Sequence, residues 1–150
     1  MLDLFKIIES HPALKEWLRE PLVVERLGGL TNHNFLARTK KNSFVLRNPG
    51  RGTEEYINRA HERHAALITA ELEVNADVLY FDAATGVQLC RFIEGATTMS
   101  KDKFRDLGAI SRAARSLRRV HESTKPFVNR FELFSMVDSY LKVLNNKNAS

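Results

Sequence analysis

Apolar residues recur at helical spacing through Leu4, Ile7, Ile8, Leu14, Trp17 and Leu18, and the run is broken at Pro12 in "SHPAL". The spacing predicts a first helix interrupted there, because proline removes an amide donor. The period then shortens. "LVVERL" (22–27), "NFLAR" (34–38) and "SFVLR" (43–47) read as three short strands, the last two joined across the charged turn "TKKN". Beyond "NPGRG", Thr53 suits a helix N-cap, with Glu54 and Glu55 in the first turn where the helix dipole favours carboxylates. That helix is expected to run from Thr53 to about Leu72, with Ile57, Ala60, Leu67 and Ile68 as its apolar stripe. "DVLYFD" (77–82) and "VQLCRFI" (87–93) follow as two more strands around "AATG". Two amphipathic segments close the pattern, one carrying Leu107, Ile110, Ala114 and Leu117, the other "FELFSMVDSYLKVL" (131–144). Helix, three strands, helix, two strands and further helices make an α+β layout, with one helix inserted in an antiparallel sheet.

Composition narrows the classes. A chain of 150 residues is one ordinary domain by length, and no apolar run approaches the roughly 20 residues needed to cross a bilayer. "MLDLFKIIESHPALKEW" lacks the basic region, apolar core and cleavage site of a secretory signal, so a cytoplasmic location is expected. The single cysteine, Cys90, agrees with a reducing compartment. The net charge of +5 raises the question of nucleic acid. Much of the excess sits in 101–130, where Arg105, Arg112, Arg115 and Arg119 occupy the wet faces of an amphipathic helix. No aromatic platform, zinc spacing or helix-turn-helix pattern accompanies them, which favours a solvated basic face over a DNA- or RNA-binding stripe. His61, His64 and His121 lack companions at metal-ligand spacing, and no metal ligand or catalytic histidine is assigned.

Taken in order, "GGLTNHNF" (28–35), "FVLRNPG" (44–50), "NRAHERHAAL" (58–67), "VLYFD" (78–82), "RFIEG" (91–95), "LRRVHES" (117–123) and "PFVNRFELF" (126–134) resemble the amino-terminal half of choline/ethanolamine kinases of the bacterial type. These belong to the aminoglycoside-phosphotransferase-like branch of the protein-kinase fold. The resemblance covers nearly the whole chain. It implies a kinase-like amino-terminal lobe at 1–95, a five-stranded antiparallel sheet with one inserted helix, and a helical connection at 96–150 towards a carboxy-terminal catalytic lobe.

It also implies an ATP site. Gly28 and Gly29 let the backbone approach a ligand closely, and with Leu30, Thr31, Asn32, His33 and Asn34 they match the loop that kinases lay over nucleotide phosphates. Read alone, two glycines beside an asparagine make a plain hairpin connection. Arg47 falls where related kinases carry the basic residue that meets the phosphates, and its fork can take two oxygens at once. Glu62 matches the helix carboxylate that orients this residue, although it lies off the apolar stripe, and Glu54, Glu55 and Glu71 remain open as substitutes. Arg91, Phe92, Ile93 and Glu94 match the hinge that offers backbone groups and apolar surface to adenine, with Gly95 turning the chain out of the sheet.

Phosphoryl transfer also needs a residue to orient the acceptor hydroxyl and carboxylates to hold Mg2+. In the family these come from an H-x-D loop and a later D-x-E motif, and neither string occurs here. The expectation is therefore the nucleotide-binding lobe of an ATP-dependent kinase for a small amino alcohol, choline first, inactive as a truncated chain by itself. Ethanolamine, an aminoglycoside-like amine and thiamine remain as acceptors. A split enzyme completed by a complementary carboxy-terminal polypeptide and a non-catalytic interaction module are the alternatives. An exposed apolar patch at Phe131, Leu133, Phe134, Tyr140 and Leu144 is expected, with self-association or a partner following from it.

Overall fold

The computed structural model describes residues 2–19, 23–130 and 132–146. Its centre is one antiparallel sheet of β1 (Val23–Leu27), β2 (Asn32–Arg38), β3 (Ser43–Pro49), β4 (Val78–Phe81) and β5 (Gln88–Arg91), ordered β1-β2-β3-β5-β4. Helix α2 (Arg59–Glu71) is inserted between β3 and β4, as the change of period predicts. The chain returns from α2 as the edge strand β4, then turns back so that β5 lies against β3.

Alternation along the strands gives the sheet two unlike faces. Phe35, Ala37, Phe44, Leu46, Val87 and Leu89 form one buried cluster with Leu4, Ile7 and Ile8 of α1 (Leu2–Ser10) and with Leu14 and Leu18 in and after the 3-10 turn Pro12–Glu16. Each such side chain contributes about 1.5–3 kcal/mol on burial, which is what holds a short amino-terminal helix to the sheet. On the opposite face the register sets Asn34 opposite Arg47, Arg47 opposite Gln88, and Val45 opposite Cys90. Polar residues at these positions leave that face open.

Helix α1 ends where expected. The Ser10 hydroxyl donates to the carbonyls of Lys6 and Ile7, and Pro12 opens the 3-10 turn. His11 then reaches across to the β4–β5 turn, with Nε2 3.2 Å from Asp82 Oδ2 and 3.1 Å from Thr85 Oγ1. Hydrogen bonds from the Thr85 hydroxyl and the Ala84 amide, assisted by His11 and opposed by burial, hold the Asp82 carboxyl below the usual carboxylate range.

Three boundaries depart from expectation. β2 begins at Asn32, so only residues 28–31 lie between the first two strands. β5 stops at Arg91, short of Phe92 and Ile93. Thr53 does not cap a long helix: Thr53–Glu55 is a single 3-10 turn, and Asn58 caps α2 by accepting from the amides of Ala60 and His61 at 3.0 and 3.1 Å. The Thr53 hydroxyl is diverted, donating to Gly50 O at 2.7 Å and accepting from Arg59. Ile57 consequently precedes α2 instead of belonging to its stripe.

Helix α3 (Leu107–His121), capped by Asp106, buries Ala109, and it and the segment after it otherwise meet the rest of the molecule through polar contacts. Arg119 lies 3.4 Å from Glu73, Lys125 pairs with Glu71, and the His64 ring is 3.0 Å from Pro126 O. Exposed ion pairs contribute roughly 0–1 kcal/mol each, so they fasten this region lightly. The predicted apolar stripe of α3 is present but uncovered at Leu107, Ile110 and Leu117. So is that of α4 (Leu133–Asn146), where Phe134 is 83% exposed and Leu133, Val137, Tyr140, Leu141 and Leu144 are exposed as well. Phe131 lies outside the described residues.

A carboxyl held below its unfolded value of about 3.9 adds stability that is complete above that pH and is lost as pH falls through the folded value. Asp82→Asn is expected to lower the unfolding free energy by about 1–2 kcal/mol at pH 7, and the gap to the unsubstituted chain should close below about pH 4. Denaturant titrations at stepped pH measure it, and a gap that persists unchanged in acid would refute the assignment.

The two glycines of the β1–β2 connection also differ. A Cβ at Gly29 would sit 2.6 Å from Asn32 O and 2.9 Å from Asn34 Nδ2, whereas one at Gly28 meets nothing within 4 Å. Gly29→Ala should therefore cost about 1–3 kcal/mol and Gly28→Ala should leave the melting temperature nearly unchanged; equal melting of the two variants would contradict this geometry.

Candidate functional site

The open face of the sheet forms one wall of a cleft of about 390 Å³. Val45 of β3, Cys90 of β5 and Ala66 of α2 give it an apolar floor, and Asn75 and Ala76, between α2 and β4, close one side. Burial pushes the Cys90 thiol up, and Gln88 donates to its sulfur at 2.9 Å, so the thiol stays neutral and serves as apolar wall. Arg91, Phe92, Ile93 and Ala96 line the rim where the chain leaves β5. The Phe92 amide donates to Ser43 O at 2.9 Å, extending the sheet one residue beyond the strand, and its ring lies under the Arg38 guanidinium, 5.8 Å from carbon to centroid. Gly95, at φ 70°, then turns the chain away in a conformation that favours glycine.

Charge gathers at the polar end of the cleft. Arg47 Nη2 donates to Glu62 Oε1, and Arg59 Nη1 donates to Glu62 Oε2 at 2.7 Å, so one carboxylate serves two guanidinium groups. Glu62 is thereby singled out among the candidate carboxylates. Glu71 pairs with Lys125, while Glu54 and Glu55 face a groove beside α4. Arg47 Nε is buried and is the one buried side-chain polar atom without a hydrogen-bond partner among the described residues. A buried donor left unmade costs about 1–3 kcal/mol, and an anion's oxygen would relieve it. The arrangement therefore fits a phosphate-bearing ligand whose planar part lies on the apolar floor.

All but two of the predicted site residues fall into two groups. Asn34, Arg47, Glu62, Arg91, Phe92 and Ile93 line the cleft. Gly29, Leu30, Thr31, Asn32 and His33 border a second hollow of about 390 Å³ with Arg26, Gly50 and Arg51. The strand expected from Asn34 begins two residues earlier, so Asn32 and His33, expected in the loop, join Asn34 in β2 and alternate in direction. Asn34 faces the cleft and donates to Gly28 O at 3.1 Å, while His33 faces Arg26 Nη2 at 3.0 Å on the other side of the sheet. Gly28 and Glu94 line neither hollow. Among the described residues no group of three His, Cys, Asp or Glu side chains is placed to hold a metal ion.

Sequence reasoning missed several contributors. Val45 and Cys90 were legible from strand alternation with Arg47 as the reference, since they share its face. Asn75 and Ala76 carry no local signal. Arg59 stands beside the helix cap in "NR", yet nothing in the string announces that it is buried against Glu62.

No protein-family model matches the chain. Protein LicA of Haemophilus influenzae is 35% identical over 125 residues, covering 82% of this chain and 36% of the relative. The crystal structure of a choline/ethanolamine kinase family protein from Mesorhizobium loti superposes with a TM-score of 0.73 at 43% identity, over 95% of this chain and 46% of that one. Choline kinase LicA from Streptococcus pneumoniae gives a TM-score of 0.78 at 29% identity, over 94% and 48%. A LicA structure in complex with AMP gives 0.75 at 28% identity, over 92% and 48%. The chain thus spans less than half the length of these relatives. With this similarity running through nearly all of its own length, and with the sheet and inserted helix in place, the chain is similar to the kinase-like amino-terminal part of choline/ethanolamine kinases and is consistent with a partial member of that family.

Proposed function

We propose that the chain is the nucleotide-binding lobe of an ATP-dependent kinase that phosphorylates the hydroxyl of a small amino alcohol, choline first. The observation that carries this is the Arg47–Glu62 pair at the end of an apolar-floored cleft, with Arg47 Nε buried and unpartnered. Such a donor set suits phosphate oxygens, because guanidinium groups engage them in charge-assisted pairs. The LicA complex with AMP supports an adenine nucleotide as the occupant, and the choline kinases among the relatives support the acceptor class.

In this reading Val45, Ala66, Cys90, Phe92 and Ile93 hold the base by apolar contact, Arg47 meets the phosphates, and Glu62 keeps Arg47 in place. The β1–β2 connection, Gly28–Thr31, is assigned to the phosphates by the resemblance alone, since Gly29, Leu30 and Thr31 border the second hollow and Gly28 borders neither. The bound nucleotide with Mg2+ supplies the transferable phosphoryl group. The H-x-D and D-x-E strings are absent from the sequence. The hydroxyl-orienting residue, the metal-holding carboxylates and the acceptor pocket are therefore assigned to a further lobe, and the chain by itself is read as binding without transfer. Residues 1–95 would form the nucleotide lobe and 96–150 the connection, with the uncovered faces of α3 and α4 packing on that further lobe. No helix among the described residues is long and apolar enough to cross a membrane, and the reading places the chain in the cytoplasm, where ATP is supplied.

The exposed apolar face of α4 favours a second reading, an interaction module that self-associates or binds a protein partner without useful nucleotide affinity. Two measurements separate them. Isothermal titration with ATP and Mg2+ should show binding by the intact chain that weakens at least tenfold in Arg47→Ala, through loss of a charge-assisted contact; absence of binding at millimolar nucleotide would defeat the first reading. In sedimentation velocity the chain should self-associate with rising concentration, and Phe134→Ser should reduce this. A strictly monomeric chain at every concentration would remove the self-association.

A further inference from the structure

We propose that Arg59 is a positioning residue that holds the Glu62 carboxylate so that Arg47 is presented to phosphate oxygens, an inference that rests on the nucleotide reading above. Arg59 sits in the first turn of α2, where the helix dipole disfavours a cation. Its side chain is only 8% exposed. A guanidinium in that place is costly unless its donors are matched. They are: Nη1 donates to Glu62 Oε2 at 2.7 Å and Nη2 to the Thr53 hydroxyl.

The molecule makes room for it. Gly86, at φ 79° in the β4–β5 turn, has no side chain to oppose it; a Cβ there would lie 2.7 Å from Arg59 Nε and 2.8 Å from its Cδ. Arg59 therefore joins the segment leaving β3, the first turn of α2 and the β4–β5 turn at a single point. Because it occupies one Glu62 oxygen, Arg47 is confined to the other. Two guanidinium groups against one carboxylate also leave one positive charge in excess at the end of the cleft. That charge and the unpartnered Arg47 Nε favour an anion.

The test compares ATP with adenosine, which shares the base and lacks the phosphates, on the intact chain by isothermal titration. Arg59→Met is expected to weaken ATP about tenfold and to leave adenosine within twofold. Arg59→Lys, which keeps the charge without the fork, should recover part of the loss. Adding Arg59→Met to Arg47→Ala should weaken ATP little further. Equal weakening of ATP and adenosine in Arg59→Met and Arg59→Lys would mean a general structural role and overturn the proposal. A second measurement needs no nucleotide: in 15N-labelled chain the Arg47 Nε–H signal should be protected from exchange, and lose that protection in Arg59→Met and, to a smaller degree, in Arg59→Lys. An Arg47 signal unchanged in both variants overturns the positioning role. If the unsubstituted chain binds neither ATP nor adenosine, the nucleotide reading fails, and the Arg47 signal still decides whether Arg59 positions it.

Discussion

One carboxylate shared between two guanidinium groups organises the cleft. Glu62 binds Arg47 from the sheet through one oxygen and Arg59 from its own helix through the other. Through Arg59 the same node reaches the Thr53 hydroxyl and the glycine turn between β4 and β5. A guanidinium as buried as that of Arg59 is tolerated only when its donors are matched, so the helix, the exit from β3 and the β4–β5 turn are joined at one point. The node ties the first turn of α2 to the open face of the sheet.

The apolar face of the sheet has a different task. Its cluster with α1 and the 3-10 turn is apolar and buried, and it lets the opposite face carry Asn34, Arg47, Gln88 and Cys90 without loss of the fold. A sheet cannot be apolar on both faces and also offer a polar cleft. Helices α3 and α4 contribute little to that core. The α3 region is attached by exposed ion pairs and a histidine contact and α4 by the edge-to-face contact of Tyr140 with Tyr56, and both helices leave most of their apolar stripes exposed.

Much of the fold could be read from hydrophobic spacing, because the strands alternate cleanly and Pro12 marks the break after α1. The start of α2 could not. Thr53 has the chemistry of a cap, but its hydroxyl is claimed by Gly50 and Arg59, and Asn58 takes the capping role five residues later. In the site, Arg47 and Glu62 were found through a resemblance, since periodicity by itself treats both as solvated charges. His33 and Asn34, adjacent in the string, face opposite sides of the sheet once β2 extends to Asn32. Arg59 escaped notice because, although Glu62 is only three residues on, its burial depends also on the diverted Thr53 hydroxyl and on the distant Gly86 turn.

The order of local interactions along the chain is enough to determine the α+β class, the order of elements, the apolar faces and the glycine-bearing connection, because each depends on residues within a few positions of one another. Which charges meet, which face each polar strand residue takes and which hydroxyl caps or braces are decided by tertiary structure. Those outcomes depend on desolvation and on the geometry of partners brought together from separate segments, and neither is a property of any short stretch of sequence.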